Sequence, residues 1–244
     1  MVFPESVDLN SCLCMPVASV LLDQFELLRP LSSDTIAQLS EHAKLVEVSR
    51  RQVVMEKGKQ AHSLGLLLEG RLQGVDITLD GKDAGLYFIE EKDFFGELPV
   101  IDQRPASEFV LSLSAARIIM IPAGIVQELM KKVPEVALIM SERLAHRLRE
   151  AMAQRTLLSM PTPLQRVSAQ LIHMTVERAS GQQVVLHAPT HQELAIMINT
   201  TRETVTRVFQ KLQKSGVIKR EKDTLLIQDP KYLSQVVDGE SDPK

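Results

Sequence analysis

Apolar residues recur along this chain with two different periods. Between Val46 and Pro122 they fall in short runs, VEVSRRQVVM, SLGLLLEG, RLQGVDITL, AGLYFIE and FVLSLSAARIIMIP, parted by turn residues such as Lys57-Gly58, Glu69-Gly70 and Asp80-Gly81-Lys82. Short β-rich runs broken by turns at intervals of about 8 to 12 residues predict an antiparallel β-roll or jelly roll. Ahead of it, Ser33 to Leu45 reads as a short helix capped by Ser32 or Ser33, and residues 1–22, with no clear period, read as an arm.

From about Pro134 to Ser159 the period becomes helical, with Val136, Ala137, Met140, Leu144, Leu148 and Ala151 spaced by threes and fours among charged residues. An amphipathic helix of that length needs a cover for its apolar stripe. Two covers are open: its own β-roll, or the same helix of a second subunit in a parallel seam. The second is the expectation. Ser159-Met160-Pro161-Thr162-Pro163 breaks the helix and predicts a hinge.

Beyond the hinge the pattern predicts a helix from Pro163 to Ala179, a short strand (QQVVLH), two helices and a final hairpin (VIKREKDTLLIQD) with the shape of a wing. Thr190 with Glu193 makes a capping box for HQELAIMI; Asn199-Thr200 turns the chain; Thr201 caps RETVTRVFQKLQKSG, which ends at Gly216. Two helices joined this way present the second to a DNA major groove about 12 Å wide. Helical spacing places Arg202, Glu203, Thr206 and Arg207 on its leading face, and Val205, Val208 and Leu212 against Leu194, Ala195 and Ile198. Arg suits guanine O6 and N7, and Glu suits the cytosine amino group. Thr201, Thr204, Thr190, Gln192 and Lys211 complete the expected DNA-binding set.

Charge supports that reading once its distribution is considered. The net charge is -3, yet residues 202–222 hold seven Lys or Arg against two acids. The only cysteines, Cys12 and Cys14, are too close along the chain for a structural disulfide, which fits a reducing cytoplasm. The start of the chain lacks the basic-then-apolar order of a signal peptide, and no apolar run reaches the roughly 18 residues of a membrane span. The expected protein is soluble and cytoplasmic.

The stretch THQELAIMINTTRETVTRVFQKLQKSGVI resembles the helix-turn-helix of the Crp/Fnr regulator family, with Arg202, Glu203 and Arg207 on the base-reading positions of the Crp branch. LLLEGRLQG resembles a β-roll strand pair, FFGELPVIDQRPAS the phosphate-binding cassette, and the Pro134 to Ser159 segment the dimer helix. The resemblance implies an α+β architecture: arm 1–22, β-roll effector domain 23–133, dimerisation helix and hinge 134–160, winged helix-turn-helix 161–234, and tail 235–244. It implies a homodimer on double-stranded DNA, reading inverted TGTGA-like half-sites and engaging RNA polymerase.

At the effector site the family pattern fails. Where cyclic-nucleotide-binding members place a Glu for the ribose and an Arg-Ser for the phosphate, this chain has Gly96, Glu97 and Leu98, then Ala106 before Ser107. A methyl group cannot pair with a phosphate, and Arg104 is displaced by two positions. The purine-contacting Thr-Ser pair of the dimer helix aligns with Ala151 and Met152, which offer no hydroxyls. The expectation is DNA binding that does not need cyclic AMP, with no fixed cofactor and an unidentified small-molecule effector left open. The alternative is a regulator that answers cyclic AMP or cyclic di-GMP. An iron-sulfur cluster lacks thiolates, haem lacks a signature, and no metal pattern occurs. A cupin-like enzyme module is disfavoured because residues 46–122 hold one histidine, His62, and no catalytic constellation occurs; the protein is not expected to be an enzyme.

Overall fold

In the computed structural model, residues 15–77 and 83–240 are described; Cys12, Cys14 and the Asp80-Gly81-Lys82 turn lie outside them, as do the first residues of the arm and the last of the tail. The chain divides into two compact units, 1–149 and 150–244.

The first unit starts with β1 (Met15–Pro16), α1 (Ser19–Leu22) and a 3-10 turn at Glu26–Leu28. Next come α2 (Ser33–His42), β2 (Lys44–Val48), β3 (Val53–Met55), β4 (Ser63–Glu69), β5 (Leu72–Ile77) and β6 (Asp83–Ile89). It continues with β7 (Phe94–Phe95), α3 (Glu97–Asp102), β8 (Phe109–Ser112), β9 (Ala116–Pro122) and α4 (Ala123–Lys132). The long helix α5 (Pro134–Leu158) follows. The Ser32 hydroxyl caps α2 by accepting from the Thr35 amide, and the helix stops at His42, because Leu45 belongs to the next strand rather than to the helix as its apolar spacing predicts.

Two antiparallel sheets, ordered β1-β2-β9-β4-β7 and β3-β8-β5-β6, make the roll. Strands β4 and β9 read as nearly continuous apolar runs because both faces of their sheet are covered. Leu64, Leu66, Ile119 and Ile121 face a cluster with the flanking helices that includes Leu22, Phe25, Val136 and Met140. Leu67, Ile118 and Met120 face Leu72, Ile89 and Val110 between the sheets. On that inner face of β4, Gly65 lies under the Phe95 ring; an added Cβ would sit 2.2 Å from the Phe95 ring.

Helix α5 has two apolar faces. Val136 and Met140 are buried in the first unit's own core. Leu138, Leu148 and Met152 are exposed, and with Ser141 and Ala145 they form a row at alternating steps of three and four. The apolar stripe expected from sequence is thus divided: its first residues pack on the β-roll, and the exposed row lies around the helix from them, running through Leu138, Ala145 and Met152 rather than Leu144.

The second unit holds the end of α5, α6 (Pro163–His173), β10 (Val176–Glu177), β11 (Gln183–Val185), α7 (His191–Met197) and α8 (Arg202–Lys214). Strands β12 (Ile218–Glu221) and β13 (Thr224–Ile227) and helix α9 (Pro230–Val237) close it. Its sheet runs β10-β11-β13-β12, all antiparallel. Among the described residues no helix is long and apolar enough to cross a membrane.

The Gly65 contact gives a test of the roll. Gly65→Ala forces a methyl into the Phe95 ring and is expected to cost about 1 to 3 kcal/mol in urea unfolding. Gly124→Ala, in α4 with nothing within 4 Å of the new methyl, is expected to be neutral or to stabilise by up to about 1 kcal/mol.

Candidate nucleic-acid interface and effector site

The helix-turn-helix is assembled from local hydrogen bonds that its sequence encodes. The Thr190 hydroxyl accepts from the Glu193 amide at 3.2 Å, while the Glu193 carboxylate accepts from the Thr190 amide at 2.9 Å, closing the capping box at the start of α7. Asn199 turns the chain with φ of 49°, a left-handed conformation that Asn tolerates. Thr201 caps α8 by accepting from the Thr204 amide at 3.2 Å. Past the α8 end, Gly216 takes φ of 70°.

The buried side of α8 is Val205, Phe209 and Leu212, alongside buried Leu194, Ala195 and Ile198. Val208, assigned to that side from its spacing, is only half buried, and Phe209 takes its place. The opposite side leaves Arg202, Glu203 and Arg207 exposed, with Lys211 one turn further on. The Glu203 carboxyl is held below its ordinary range by its own backbone amide and the Thr201 hydroxyl. Gln192 is exposed on α7.

Thr206 differs from its neighbours. Its hydroxyl donates to the Arg202 carbonyl at 2.9 Å, which uses its one proton, so the 2.9 Å contact with His191 Nδ1 requires His191 to donate from Nδ1. The His191 ring lies 4.6 Å from the Phe209 ring. Burial, then the charges of Arg220 and Arg202, hold this imidazole below its ordinary value. Two groups that spacing alone does not reveal brace the motif. Arg166 on α6 donates to the carbonyls of Ile198 at 3.1 Å and Asn199 at 3.3 Å, across the turn, and Gln154 donates to the Met197 carbonyl. In the wing, Arg220 donates to the Ala188 carbonyl at 3.3 Å.

In the first unit, Gly96 enters α3 with φ of 81°, and Glu97 follows at 1% exposure. Glu97 Oε1 lies 2.6 Å from Arg147 Nη1, an ion pair without the in-line alignment of a hydrogen bond. Burial raises the Glu97 carboxyl above its ordinary range, and the Arg147 charge opposes that rise. The Arg147 guanidinium stacks 3.9 Å over the Tyr87 ring and donates to the Phe94 carbonyl at 3.1 Å. The Tyr87 hydroxyl donates to the buried carboxylate of Glu108. Ala106 is packed in the core between the sheets. Leu98 and Ser107 are exposed, and Arg104, with 82% of its side chain exposed, points to Asp102 at 4.0 Å. Ala151 and Met152 are exposed on the part of α5 that belongs to the second unit. Among the described residues, no group of three or more His, Cys, Asp or Glu is placed to hold a metal ion.

Residues 165–236 match the Crp-like helix-turn-helix domain, and residues 45–133 match the cyclic nucleotide-binding domain. The chain belongs to the Crp/Fnr family of transcription regulators. It is 26% identical over 186 residues to the cyclic AMP receptor protein of Thermus thermophilus, covering 76% of this chain and 84% of that one. It is 24% identical over 203 residues to a CRP-like cAMP-activated global transcriptional regulator of Mycobacterium tuberculosis, covering 82% of this chain and 91% of the relative. A structure of a CooA mutant from Carboxydothermus hydrogenoformans shares the fold with a TM-score of 0.71 at 17% identity, over 92% of this chain and 97% of that one. This Crp/Fnr protein is therefore a DNA-binding regulator and not an enzyme.

The depressed His191 predicts a pH response. A fold that favours the neutral ring has this group's stability in full above the unfolded value of about 6.5 and loses it as pH falls through the lower folded value. The thermal midpoint of the second unit is expected to fall on acidification from about pH 7 to about pH 5. His191→Gln should show a smaller fall, which pH-dependent circular dichroism melts of the full chain would measure.

Proposed function

We propose that the protein is a homodimeric, cytoplasmic regulator that reads inverted TGTGA-like half-sites with α8, engages RNA polymerase, and binds DNA without cyclic AMP. The observation that carries the readout is the exposed row Arg202, Glu203 and Arg207 on a helix whose other side is fixed by Val205, Phe209 and Leu212. Two Arg forks and one carboxylate suit the guanines and cytosine of such a half-site. Lys211, Thr201, Thr204, Thr190 and Gln192 flank that row, and the basic charge around them suits the phosphates. Residues 23–133 form the effector domain in this reading, 134–160 the dimer helix and hinge, and 161–234 the DNA-binding domain.

The row Leu138, Ser141, Ala145, Leu148 and Met152, exposed except at half-buried Ala145, supports the dimer. Its alternating three and four spacing is that of a two-helix seam, and Met152 at 60% exposure needs a cover. Independence of cyclic AMP is supported by Ala106, whose methyl is buried in the core, and by Arg104, which is turned to solvent. The relatives named for cyclic AMP, and the match of residues 45–133 to the cyclic nucleotide-binding domain, favour the cyclic AMP form of the second reading, a regulator responsive to a cyclic nucleotide.

Fluorescence anisotropy on an inverted-repeat TGTGA duplex separates them. Tight binding of the full chain without ligand, unchanged by millimolar cyclic AMP, is the expected result; a tenfold gain, about 1.4 kcal/mol of coupling, would establish the second reading. Arg202→Ala or Arg207→Ala is expected to cost about 1 to 3 kcal/mol per half-site on this duplex and much less on random DNA. Leu148→Glu is expected to sediment as a monomer at micromolar concentration and to lose the duplex, because it sets like charges against each other across the seam.

A further inference from the structure

His191 opens α7, where three elements of the second unit meet. Its Nδ1 gives its proton to the Thr206 hydroxyl of α8 at 2.9 Å, and that hydroxyl donates in turn to the Arg202 carbonyl. The ring leans on Phe209, with 4.6 Å between centroids. From the wing, Arg220 bonds the Ala188 carbonyl just ahead of α7 at 3.3 Å. A neutral imidazole that donates from Nδ1 keeps its lone pair on Nε2, and among the described residues no partner occupies that nitrogen. The charged groups on the elements around the ring are Arg202 and Glu203 on α8, Arg220 and Asp223 on the wing, and Glu193 on its own helix. Burial comes first, and the two arginines second, in holding the free ring neutral.

Two guanidiniums and an imidazole drawn from α8, the wing and α7 make a site for an anion, and the imidazole is the member whose charge is missing. An anion laid against the guanidiniums offsets the charge that keeps the ring neutral, and a proton added at Nε2 then makes a charge-assisted donor toward that anion. That proton breaks no existing bond, because the Nδ1 proton and the Thr206 bridge to Arg202 stay as they are. We propose that His191 is a phosphate-binding residue of the DNA interface that takes up a proton from solvent as DNA binds and gives Nε2–H to a backbone phosphate beside Arg220. This rests on the reading of α8 as the helix that enters the groove. A phosphate fits better than a base edge, since the site gathers positive charge and a doubly protonated ring offers donors and no acceptor. Proton and DNA binding are then reciprocal. The complex holds the proton more tightly than the free protein does, so affinity is raised below the free ring's value, and the gain is lost as pH rises through the higher value in the complex. A phosphate contact carries no sequence information, so the gain is alike on any duplex.

Calorimetric titration of the full chain with an inverted-repeat TGTGA duplex and with a random duplex, at constant salt and about pH 7, in PIPES and in Tris, tests this, because the two buffers differ in ionisation enthalpy. Wild-type binding enthalpies should differ between the buffers in the sense of proton uptake, by about half a proton or more per subunit, and affinity for both duplexes should rise at least about threefold per subunit from about pH 7.5 to about pH 6. His191→Gln, which keeps a donor for Thr206, should show neither the buffer dependence nor the gain. His191→Arg, a permanent cation, should bind both duplexes equally well across that range, with no uptake. A wild-type enthalpy independent of buffer, uptake that survives His191→Gln, or a gain confined to the TGTGA duplex would each overturn the proposal, and the first of these needs no variant to fold. Uptake on both duplexes without preference for TGTGA would sink the half-site reading alone; TGTGA binding without uptake sinks the protonated His191 alone.

Discussion

A carboxylate removed from water must be neutralised, protonated or paired, and Glu97 is paired by a residue fifty positions further along the chain. Removing one partner of such a pair costs about 3 to 5 kcal/mol, because a buried charge is left alone. Breaking this pair therefore costs more than breaking an exposed one; Lys131 with Glu128 on the surface of α4 contributes at most about 1 kcal/mol. Asp93 with Arg143 adds a second attachment one turn earlier, and Val136 with Met140 an apolar one before that. Three contacts at helical intervals on one face fix both the axis and the rotation of α5.

The division of α5 into two faces follows from the same constraint. A helix with a single stripe would either lie on the roll or meet a partner. With Val136 and Met140 held in the roll and the guanidiniums drawn to Asp93 and Glu97, Leu138 and Leu148 stay exposed and Ala145 half-buried, in a row whose spacing continues to Met152. Its repeat of seven residues is shorter than two turns of a straight helix, so a seam along it supercoils to the left.

How far the fold could be read from sequence depended on how local its cause was. The capping box of Thr190 and Glu193, the Thr201 cap and the Gly216 stop depend on residues within one turn, and the structure forms all three. The apolar runs of β4 and β9 were readable as strands because Gly and charged turns bound them, although two-sided burial hid which residues face which core. The division of α5 was not readable, because it depends on Asp93 and Glu97 across about fifty residues of chain. Phe209 was missed for Val208 by one step of helical phase, a difference of about 100° that apolar spacing alone does not resolve. The Arg166 brace on the turn and the pairing of Glu97 by Arg147 had no signal in spacing at all; a buried acid in need of a cation was the one clue, and burial is not visible in a sequence.

The fold also narrows which polar groups of the second unit remain for DNA. Thr190 and Thr201 are taken by caps, and Thr204 accepts from Arg207 at 3.3 Å. Thr206 donates to Arg202 and accepts from His191. The Thr190 and Thr201 hydroxyls accept from backbone amides and keep a proton to give, whereas Thr206 has spent its proton on the Arg202 carbonyl, so a further donor bond from it would only exchange for an old one. In the proposed reading, base contacts rest on the long charged side chains Arg202, Glu203 and Arg207, which are exposed and would lose only hydration on entering a groove. The Thr204 contact gives Arg207 a preferred starting direction, which lowers the entropy lost when it reaches a guanine. In that reading, phosphate contacts by Lys211 and the wing cations would carry no such geometry, so salt would weaken them evenly on any sequence, and discrimination between sequences would be left to three side chains of one helical turn and a half.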